Sequence, residues 1–320
     1  MLTIDFINVG YGDAILVQER SKSAQNYNIL IDCGALTTGA TEPHSKRVSA
    51  FDFLLKRGID TLDLLVLTHL HLDHSGGLRH LLPAIHVREF WSNYVPDLFF
   101  WGQQVIVPDN CTPEASCLLQ SLNVYLEALD RLRKENAIIH CITKSRPACI
   151  LGDALIVETF SKQESLYKRQ GEIWQAVLNG QIDSAQLDEL DGFINNTSIR
   201  MRLTYAGHSI ELPGDVYAAC WEQHTVAPCS IVKLPHHGHQ DSISVKLAAM
   251  LRSQYAVVSV SNTRTDNCPS REAIQLISNS ATKLLFTDAV QTNGRRQYHE
   301  SVQFQISSDG VLKLIQDAET

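Results

Sequence analysis

Short apolar runs separated by turn residues dominate the first and the last third of the chain. Runs of this length, bounded by glycine, proline or asparagine, are typical of β-strands. In the first part we predict strands at residues 2–9, 14–18, 28–32 and 62–68, the last of them apolar enough to be buried on both faces. In the later part we predict strands at residues 137–143, 154–160, 198–205, 209–212, 230–234, 255–260, 283–287, 301–306 and 311–315.

Apolar positions three or four residues apart predict helices between these strands. The longest helix covers residues 113–136, and shorter ones are predicted at 46–57, 243–253 and 270–279. Residues 161–192 are polar and only weakly helical, so we interpret them as a helical insertion rather than as part of the core. Two groups of strands interleaved with helices predict an α/β fold, an αββα sandwich that forms one domain over residues 1–320.

Composition limits the class of protein. The chain has 320 residues, 44% of them hydrophobic, which is enough for a large globular core. Its net charge of −8 argues against a protein that coats nucleic acid without sequence preference, since that binding needs many contacts from Lys and Arg to phosphate.

The eight cysteines form no Cys-x-x-Cys pair, which argues against a zinc ribbon. The chain starts directly with a predicted strand and has no apolar leader, and no stretch reaches the ~20 apolar residues of a membrane span. We therefore expect a cytoplasmic protein without membrane contact, with reduced cysteines that are mostly buried.

Residues 68–77, Thr-His-Leu-His-Leu-Asp-His-Ser-Gly-Gly, carry the most informative pattern. His69, His71, Asp73 and His74 place four potential metal ligands within six residues, directly after a buried strand. Imidazole and carboxylate groups suit zinc or manganese. We expect His69 and His71 to face one metal position, and Asp73 and His74 to turn toward a second.

Two later strand ends supply further ligands. Asp215 follows Leu-Pro-Gly, and a carboxylate there could bridge two metals held about 3.5–4 Å apart. His236 and His237 follow Lys-Leu-Pro at the end of another predicted strand. Asp13 and Asp32 lie at turns, and we interpret them as groups that orient ligand histidines.

The order of these motifs resembles the metallo-β-lactamase fold, and more narrowly the nuclease domain of ComEC-type DNA-uptake proteins and its standalone relatives. The family patterns DVGQGDA, ILIDTG, NxxSLVL, FTGDI and KVPHHG are similar to residues 8–14, 29–34, 195–201, 212–216 and 233–238. The similarity covers most of the chain, from residue 1 to about 310. The channel segments of the competence proteins have no counterpart in it, so DNA uptake is not implied.

The resemblance implies a centre of two divalent ions, zinc or alternatively manganese. His69 and His71 would hold one ion, Asp73, His74 and His237 the other, and Asp215 would bridge both. A third histidine, found in many relatives before the middle strand, is replaced by Asn195 or Asn196. Because an amide oxygen is a weaker ligand than imidazole, we expect the first ion to be held less tightly.

The resemblance also implies the catalytic residues, which would be Asp73, His236 and Lys233. Asp73 would act as a metal ligand at the reacting centre. His236 would contact a phosphate or donate a proton, although its role and that of His237 could be exchanged. Lys233 would contribute positive charge near the substrate.

Three functions remain open from the sequence. The resemblance favours a phosphodiesterase that cleaves nucleic acid, single-stranded in preference to duplex. A second reading is a hydrolase of a small phosphodiester, thioester or lactone, because one fold hosts many reactions. The third is a regulatory partner subunit with a vestigial metal site, against which the complete ligand set speaks. The sequence indicates no particular protein partner.

Overall fold

Two β-sheets form the centre of the computed structural model, which describes residues 1–20, 26–40, 45–161, 163–261, 268–280, 283–288 and 299–315. In chain order the strands are β1 (Leu2–Ile7), β2 (Ile15–Arg20), β3 (Asn26–Ile31), β4 (Thr61–Leu67), β5 (His86–Ser92), β6 (Ile138–Cys141), β7 (Arg146–Leu151), β8 (Leu155–Phe160), β9 (Arg200–Tyr205), β10 (His208–Leu212), β11 (Ile231–Lys233), β12 (Tyr255–Val258), β13 (Lys283–Phe286), β14 (Ser301–Ile306) and β15 (Leu312–Ile315).

Helices connect and cover these strands. They are α1 (Ala50–Lys56), α2 (Leu72–Ser75), α3 (Leu78–Leu81), α4 (Pro113–Lys134), α5 (Glu164–Leu178), α6 (Ser184–Ile194), α7 (Ala218–Trp221), α8 (Val245–Leu251) and α9 (Arg271–Ser278). Short 3₁₀ segments lie at Leu98–Phe100, Asn195–Thr197 and Pro235–Gly238.

Each sheet has one antiparallel and one parallel part. The first sheet has the order β15-β14-β1-β2-β3-β4-β5-β6 and is parallel from β3 to β6. The second has the order β13-β12-β11-β10-β9-β8-β7 and is parallel from β13 to β10. Parallel strands bring their carboxyl ends to one edge of a sheet, where loops can meet.

Burial follows the alternation of the strands and produces three apolar layers. On β4, Leu64 and Val66 face the layer between the sheets, whereas Leu65 and Leu67 face the helices outside. The second sheet is covered on its outer face by α8 and α9. Helices outside and two sheets inside confirm the predicted αββα sandwich, the architecture of the metallo-β-lactamase fold.

The interpretation of residues 161–192 as lying outside the core is wrong. The helices α5 and α6 bury Trp174, Leu187 and Leu190 in the same apolar layer as α4. The outward faces of α5 and α6 are polar. Because the buried apolar residues recur only every third or fourth position, the composition of the whole segment is polar although each helix has an apolar face. Strand β5 was not predicted either, since its sequence His-Val-Arg-Glu-Phe-Trp-Ser mixes charged and apolar residues.

The expectation that most of the cysteines are buried is wrong. Only Cys33 and Cys229 are buried, whereas Cys117, Cys141 and Cys149 are exposed. Within the described part of the chain, none of the helices combines the length and the apolar character that a bilayer crossing requires.

Two glycines let the turn after β4 pack against the end of β3. The Gly77 N–H donates to the Gly34 carbonyl at 2.9 Å. A Cβ atom at Gly77 would lie 2.1 Å from the carbonyl oxygen of Cys33. Gly77 is therefore required for this close approach of two backbones, and not for an unusual backbone angle.

We expect Gly77→Ala to lower the free energy of unfolding by about 1–3 kcal/mol, because the added methyl group must push two backbone segments apart. The matched control is Gly171→Ala, which lies within α5 where a Cβ meets nothing within 4 Å. That control should raise the free energy of unfolding by about 0.5–1 kcal/mol through helix propensity. Urea denaturation measures both, and a Gly77→Ala protein as stable as the parent would contradict the packing argument.

Candidate metal centre

The predicted ligands meet where strands of the two sheets end. The first motif follows β4, Asp215 follows β10, and His236 and His237 follow β11. Asp32 follows β3 directly. Side chains more than 140 residues apart in the chain therefore contact one another, as in the pair His74–Asp215.

Several of these side chains belong to residues with a left-handed backbone conformation. Asp32, His236 and His237 have φ values of 58°, 47° and 51°. Residues other than glycine seldom adopt this region, and strain of this kind concentrates at functional sites. Gly12 (φ 112°) has a further constraint, since a Cβ there would lie 1.9 Å from the carbonyl oxygen of Asp73.

Asp73, His74, Asp215 and His237 form one four-ligand cluster. One oxygen or nitrogen atom from each lies within 4.8 Å of the other three. Oδ2 of Asp215 is 3.2 Å from Nε2 of His74 and 3.3 Å from Nε2 of His237. Oδ2 of Asp73 is 3.0 Å from the same His237 nitrogen. Two imidazoles and two carboxylates converge on one point.

His69 and His71 form the second group. Nε2 of His69 lies 3.2 Å from Nδ1 of His71. Burial, together with the nearby His74 and His71, lowers the pKa of His69 well below its ordinary value, so His69 is a neutral imidazole. Two nitrogens that face each other this closely are a pair of donors to which a cation can bind.

The outer nitrogen of each of these four histidines faces a hydrogen-bond acceptor. Nδ1 of His74 lies 2.8 Å from Asp32, and Nδ1 of His237 lies 3.2 Å from the carbonyl of Ser259. Nε2 of His71 lies 3.2 Å from Asp191. Carboxylates and carbonyls accept, so the outer nitrogen carries a hydrogen and the inner nitrogen is the atom that would bind a cation.

His69 reaches the same state through two hydroxyls. Its Nδ1 lies 3.1 Å from Oγ1 of Thr68 and 3.3 Å from Oγ of Ser198. Each hydroxyl already donates its hydrogen, to Asp32 and to the carbonyl of Asn195 respectively. Both hydroxyls must therefore accept from Nδ1, which leaves Nε2 of His69 as a ligand atom.

The charges of the cluster indicate that it needs a cation. Burial would lower the pKa of His74, but Asp215, Asp32 and Asp73 raise it well above its ordinary value. Burial likewise acts against His237, yet Asp215 and Asp73 raise its pKa to about 9. The two histidines thus carry positive charge in the cation-free protein, and a divalent ion at their inner nitrogens would supply that charge instead. The residues present fit a two-metal centre.

Asn195 and Asn196 have different surroundings. Nδ2 of Asn195 lies 3.3 Å from the Tyr217 hydroxyl and 3.4 Å from Nε2 of His236, while its Oδ1 is buried without a hydrogen-bond partner among the described residues. Oδ1 of Asn196 instead accepts from the backbone N–H of Tyr217 at 3.0 Å. Of the two amides, Asn195 is the one with an oxygen left for a ligand role.

The sequence argument expected Lys233 to contribute positive charge near the substrate, but the structure buries this residue. Its side chain is 1% exposed and its ammonium group forms ion pairs with Asp13 and with Asp215, the latter at 2.9 Å. Burial opposes this charge, but the two carboxylates raise the pKa of Lys233. Lys233 lies beneath the ligands, so it contacts Asp215 and has no access to a substrate.

His236 and His237 diverge, with ring centroids 6.5 Å apart. His237 faces Asp73 and Asp215, whereas His236 is 22% exposed and its Nδ1 lies 2.9 Å from Asp241. Both residues have left-handed backbone in a 3₁₀ segment, and this conformation directs the two rings to different sides.

Two contacts at the centre were not predicted from the sequence. Asp191 reaches His71 from α6, 120 positions along the chain, and Tyr217 reaches Asn195. No local pattern marks either residue. The buried stripe of α6 was the available signal, because it places the helix against the core next to the first motif.

Comparison with known proteins gives four findings. The family description "Metallo-beta-lactamase superfamily" matches residues 7–102. The chain is 22% identical to ComE operon protein 3 of Bacillus subtilis over 307 residues, which is 92% of this chain and 32% of that protein, so it spans about a third of the relative's length. The metallo-beta-lactamase fold protein YhfI from Bacillus subtilis is 12% identical, with a TM-score of 0.47, over 89% of this chain and 96% of that one.

A diphosphatase from the PhnP family is 13% identical, with a TM-score of 0.45, over 95% of this chain and 96% of that chain. The matched segment 7–102 contains the first ligand motif together with Asp13 and Asp32. The two-sheet architecture, the converging ligands and the matched segment make the chain similar to the metallo-β-lactamase superfamily in its fold and in its first ligand motif.

Proposed function

We propose that the chain is a metal-dependent phosphodiesterase that cleaves nucleic acid, preferring single strands, with two divalent ions, zinc or alternatively manganese. The observation that carries this proposal is the set of four histidines whose outer nitrogens all face hydrogen-bond acceptors, so that their inner nitrogens are directed toward one another and toward the carboxylates. The motif resemblance to ComEC-type nuclease domains and the similarity to ComE operon protein 3 support the substrate class. The cytoplasmic location stays a prediction.

The chain's own residues would hold both ions. Asp73, His74 and His237 would hold one and His69, His71 and Asn195 the other, with Asp215 shared. When bound, the pair of ions supplies a nucleophilic water at neutral pH and polarises a phosphoryl oxygen.

The supporting residues then have defined tasks. Lys233 keeps Asp215 ionised and fixed, and Asp32 and Asp191 hold His74 and His71 in the ligand orientation. His236, held by Asp241, lies at the rim where it can contact a phosphate oxygen of the substrate.

Access to the centre favours a flexible substrate. His69, His74 and His237 are fully buried, whereas the side chains of His71 and Asp73 are 22% and 15% exposed. A phosphate can reach the centre only at these two partly exposed side chains, and a single strand can bend to present one more easily than a stiff duplex. A small phosphodiester would meet the same restriction, and the net charge of −8 favours that substrate over a long polyanion.

The substrate class is tested by assaying the metal-loaded protein on single-stranded DNA, duplex DNA and bis(p-nitrophenyl) phosphate, with a thioester and a lactone beside them. We expect cleavage of the single strand and of the small diester, with the single strand giving the higher kcat/KM. Cleavage of the diester alone would replace the nuclease by a small-molecule phosphodiesterase. Turnover of the thioester or lactone alone would contradict both, and no turnover at all would favour a regulatory subunit.

We expect Asp215→Ala to abolish turnover and to lower the content of both metals together, because both ions lose a ligand. Elemental analysis after dialysis, with circular dichroism to confirm folding, measures this. Asp109→Ala, which removes an exposed carboxylate from a loop, is the control and should keep full metal content and activity. An Asp215→Ala protein that retains both ions would show that the bridge lies elsewhere.

The two adjacent histidines should respond differently. His237→Ala should weaken metal binding by about 10–100-fold, since it removes a ligand of the four-residue cluster. His236→Ala should leave the metal content unchanged and lower the single-turnover rate by about 10²–10⁴, the usual effect of losing a group that acts on the reacting phosphate. Loss of metal in His236→Ala with full loading in His237→Ala would reverse the two assignments.

A further inference from the structure

Tyr217 lies beside the metal centre, two residues after Asp215. Its backbone N–H donates to Oδ1 of Asn196 at 3.0 Å, which ties the start of α7 to the 3₁₀ segment that carries Asn195. The centroid of its ring lies 5.5 Å from that of the His236 ring, and the two planes are inclined by 32°. The backbone and the ring of Tyr217 are both held in this way, so its hydroxyl has a defined position.

The Tyr217 hydroxyl accepts one hydrogen bond and keeps its own hydrogen available. Nδ2 of Asn195 lies 3.3 Å from this hydroxyl and 3.4 Å from Nε2 of His236. An amide nitrogen can only donate, so the oxygen of Tyr217 accepts from it. Among the residues that the structure describes, none accepts the hydrogen of this hydroxyl. Because a phenol is protonated at neutral pH, that hydrogen can be donated to a substrate.

The same contacts give Asn195 two different sides. Its Nδ2 faces Tyr217 and His236, so its Oδ1 is directed away from them, and this oxygen is buried without a hydrogen-bond partner in the described ranges. Asn195 is 3% exposed, whereas Tyr217 and His236 are both partly exposed. The amide oxygen therefore lies on the ligand side of Asn195, and the hydroxyl and the imidazole lie on the side from which a substrate arrives.

The cation next to the ligands does not face that open side. Of the lysines and arginines that the structure describes, Lys233 is the only one that forms an ion pair with Asp13, Asp73 or Asp215, and it is 1% exposed. A phosphate that reaches the centre must then be stabilised by bound cations and by hydrogen-bond donors of the open side. A neutral hydroxyl can donate to a phosphoryl oxygen without repelling those cations.

We propose that Tyr217 is a substrate-binding residue of the phosphodiesterase, whose hydroxyl donates a hydrogen bond to a non-bridging oxygen of the phosphate at the metal centre. Only the amide group of Asn195 separates this hydroxyl from the first metal position, so a phosphate held there lies within its reach. Tyr217 keeps its proton, and no bond to it forms or breaks. The inference rests on the proposed function and adds to it the group that orients the phosphate.

Tyr217→Phe tests the contact, because it keeps the ring beside His236 and removes only the hydroxyl. With the metal-loaded full chain and bis(p-nitrophenyl) phosphate, we expect kcat/KM to fall by about 10–100-fold, the effect of losing one hydrogen bond to a charged group. The control is Tyr255→Phe, which removes the hydroxyl of a tyrosine at the amino end of β12 and should leave kcat/KM unchanged. Equal kcat/KM in Tyr217→Phe and the parent overturns the proposal.

Metal content separates a contact with the substrate from an effect through Asn195. We expect Tyr217→Phe to retain both ions in elemental analysis after dialysis, because His236 still accepts from Nδ2 of Asn195. A variant that loses an ion together with its activity would show that Tyr217 only orients the ligand amide. That result overturns the proposal.

Binding of inorganic phosphate tests the same contact without turnover. In calorimetric titration of the metal-loaded full chain, we expect Tyr217→Phe to bind phosphate about tenfold more weakly than the parent and Tyr255→Phe to bind it equally well. A parent protein that cleaves no phosphodiester contradicts the proposed function, and this titration still decides on Tyr217. Equal affinity in Tyr217→Phe and the parent, or no phosphate binding by the parent, overturns the contact.

Two diesters with different leaving groups identify the oxygen that Tyr217 contacts. If the hydroxyl donates to a non-bridging oxygen, Tyr217→Phe loses the same factor in kcat/KM with methyl p-nitrophenyl phosphate and with methyl phenyl phosphate. A larger loss with methyl phenyl phosphate, whose leaving group is the more basic, would mean that Tyr217 assists the leaving oxygen. That outcome overturns the assignment to a non-bridging oxygen.

Discussion

Four carboxylates concentrated at one end of the sandwich impose the main physical constraint on this molecule. Asp13, Asp32 and Asp215 are at most 2% exposed and Asp73 is only slightly more open. Buried carboxylates are stable only when cations and hydrogen bonds compensate them. Lys233 compensates the negative charge of Asp13 and Asp215, and the charge of the remaining carboxylates must be compensated by the histidines or by a bound metal. The need for additional positive charge at this site is the reason that we regard it as a metal centre.

Backbone strain is a second consequence of the same crowding. Asp32, His236 and His237 are held in left-handed conformations after the ends of two strands, β3 and β11, and Gly12 lies against the backbone of Asp73. Each such position costs of order 1–3 kcal/mol, which only a rigid surrounding structure can sustain. The two sheets supply that rigidity, because the strained residues directly follow strands whose side chains fill the apolar layers. Ligands held in this way lose little entropy when an ion binds.

The parts of the centre that could be predicted from the sequence are those with local signals. His69, His71, Asp73 and His74 lie within one turn after an apolar strand, and Asp215 and His237 end strands of their own, so hydrophobic pattern and ligand chemistry suffice. Asp191 could not be predicted, since its role depends on how α6 packs. The position of Lys233 was predicted wrongly. Strand β11 places its side chain inside the protein, next to two carboxylates whose positions depend on tertiary contacts.

The surroundings of Asp215 also limit how it can bridge two ions. Its Oδ1 accepts from Lys233 and from the backbone N–H of His236, both at 2.9 Å. Its Oδ2 alone faces the ligand nitrogens of His74 and His237. With Oδ1 engaged, Oδ2 is the oxygen of Asp215 that would be available to a bound cation. The buried lysine thus acts on the geometry of the centre without facing the substrate, since it decides which oxygen of Asp215 is available.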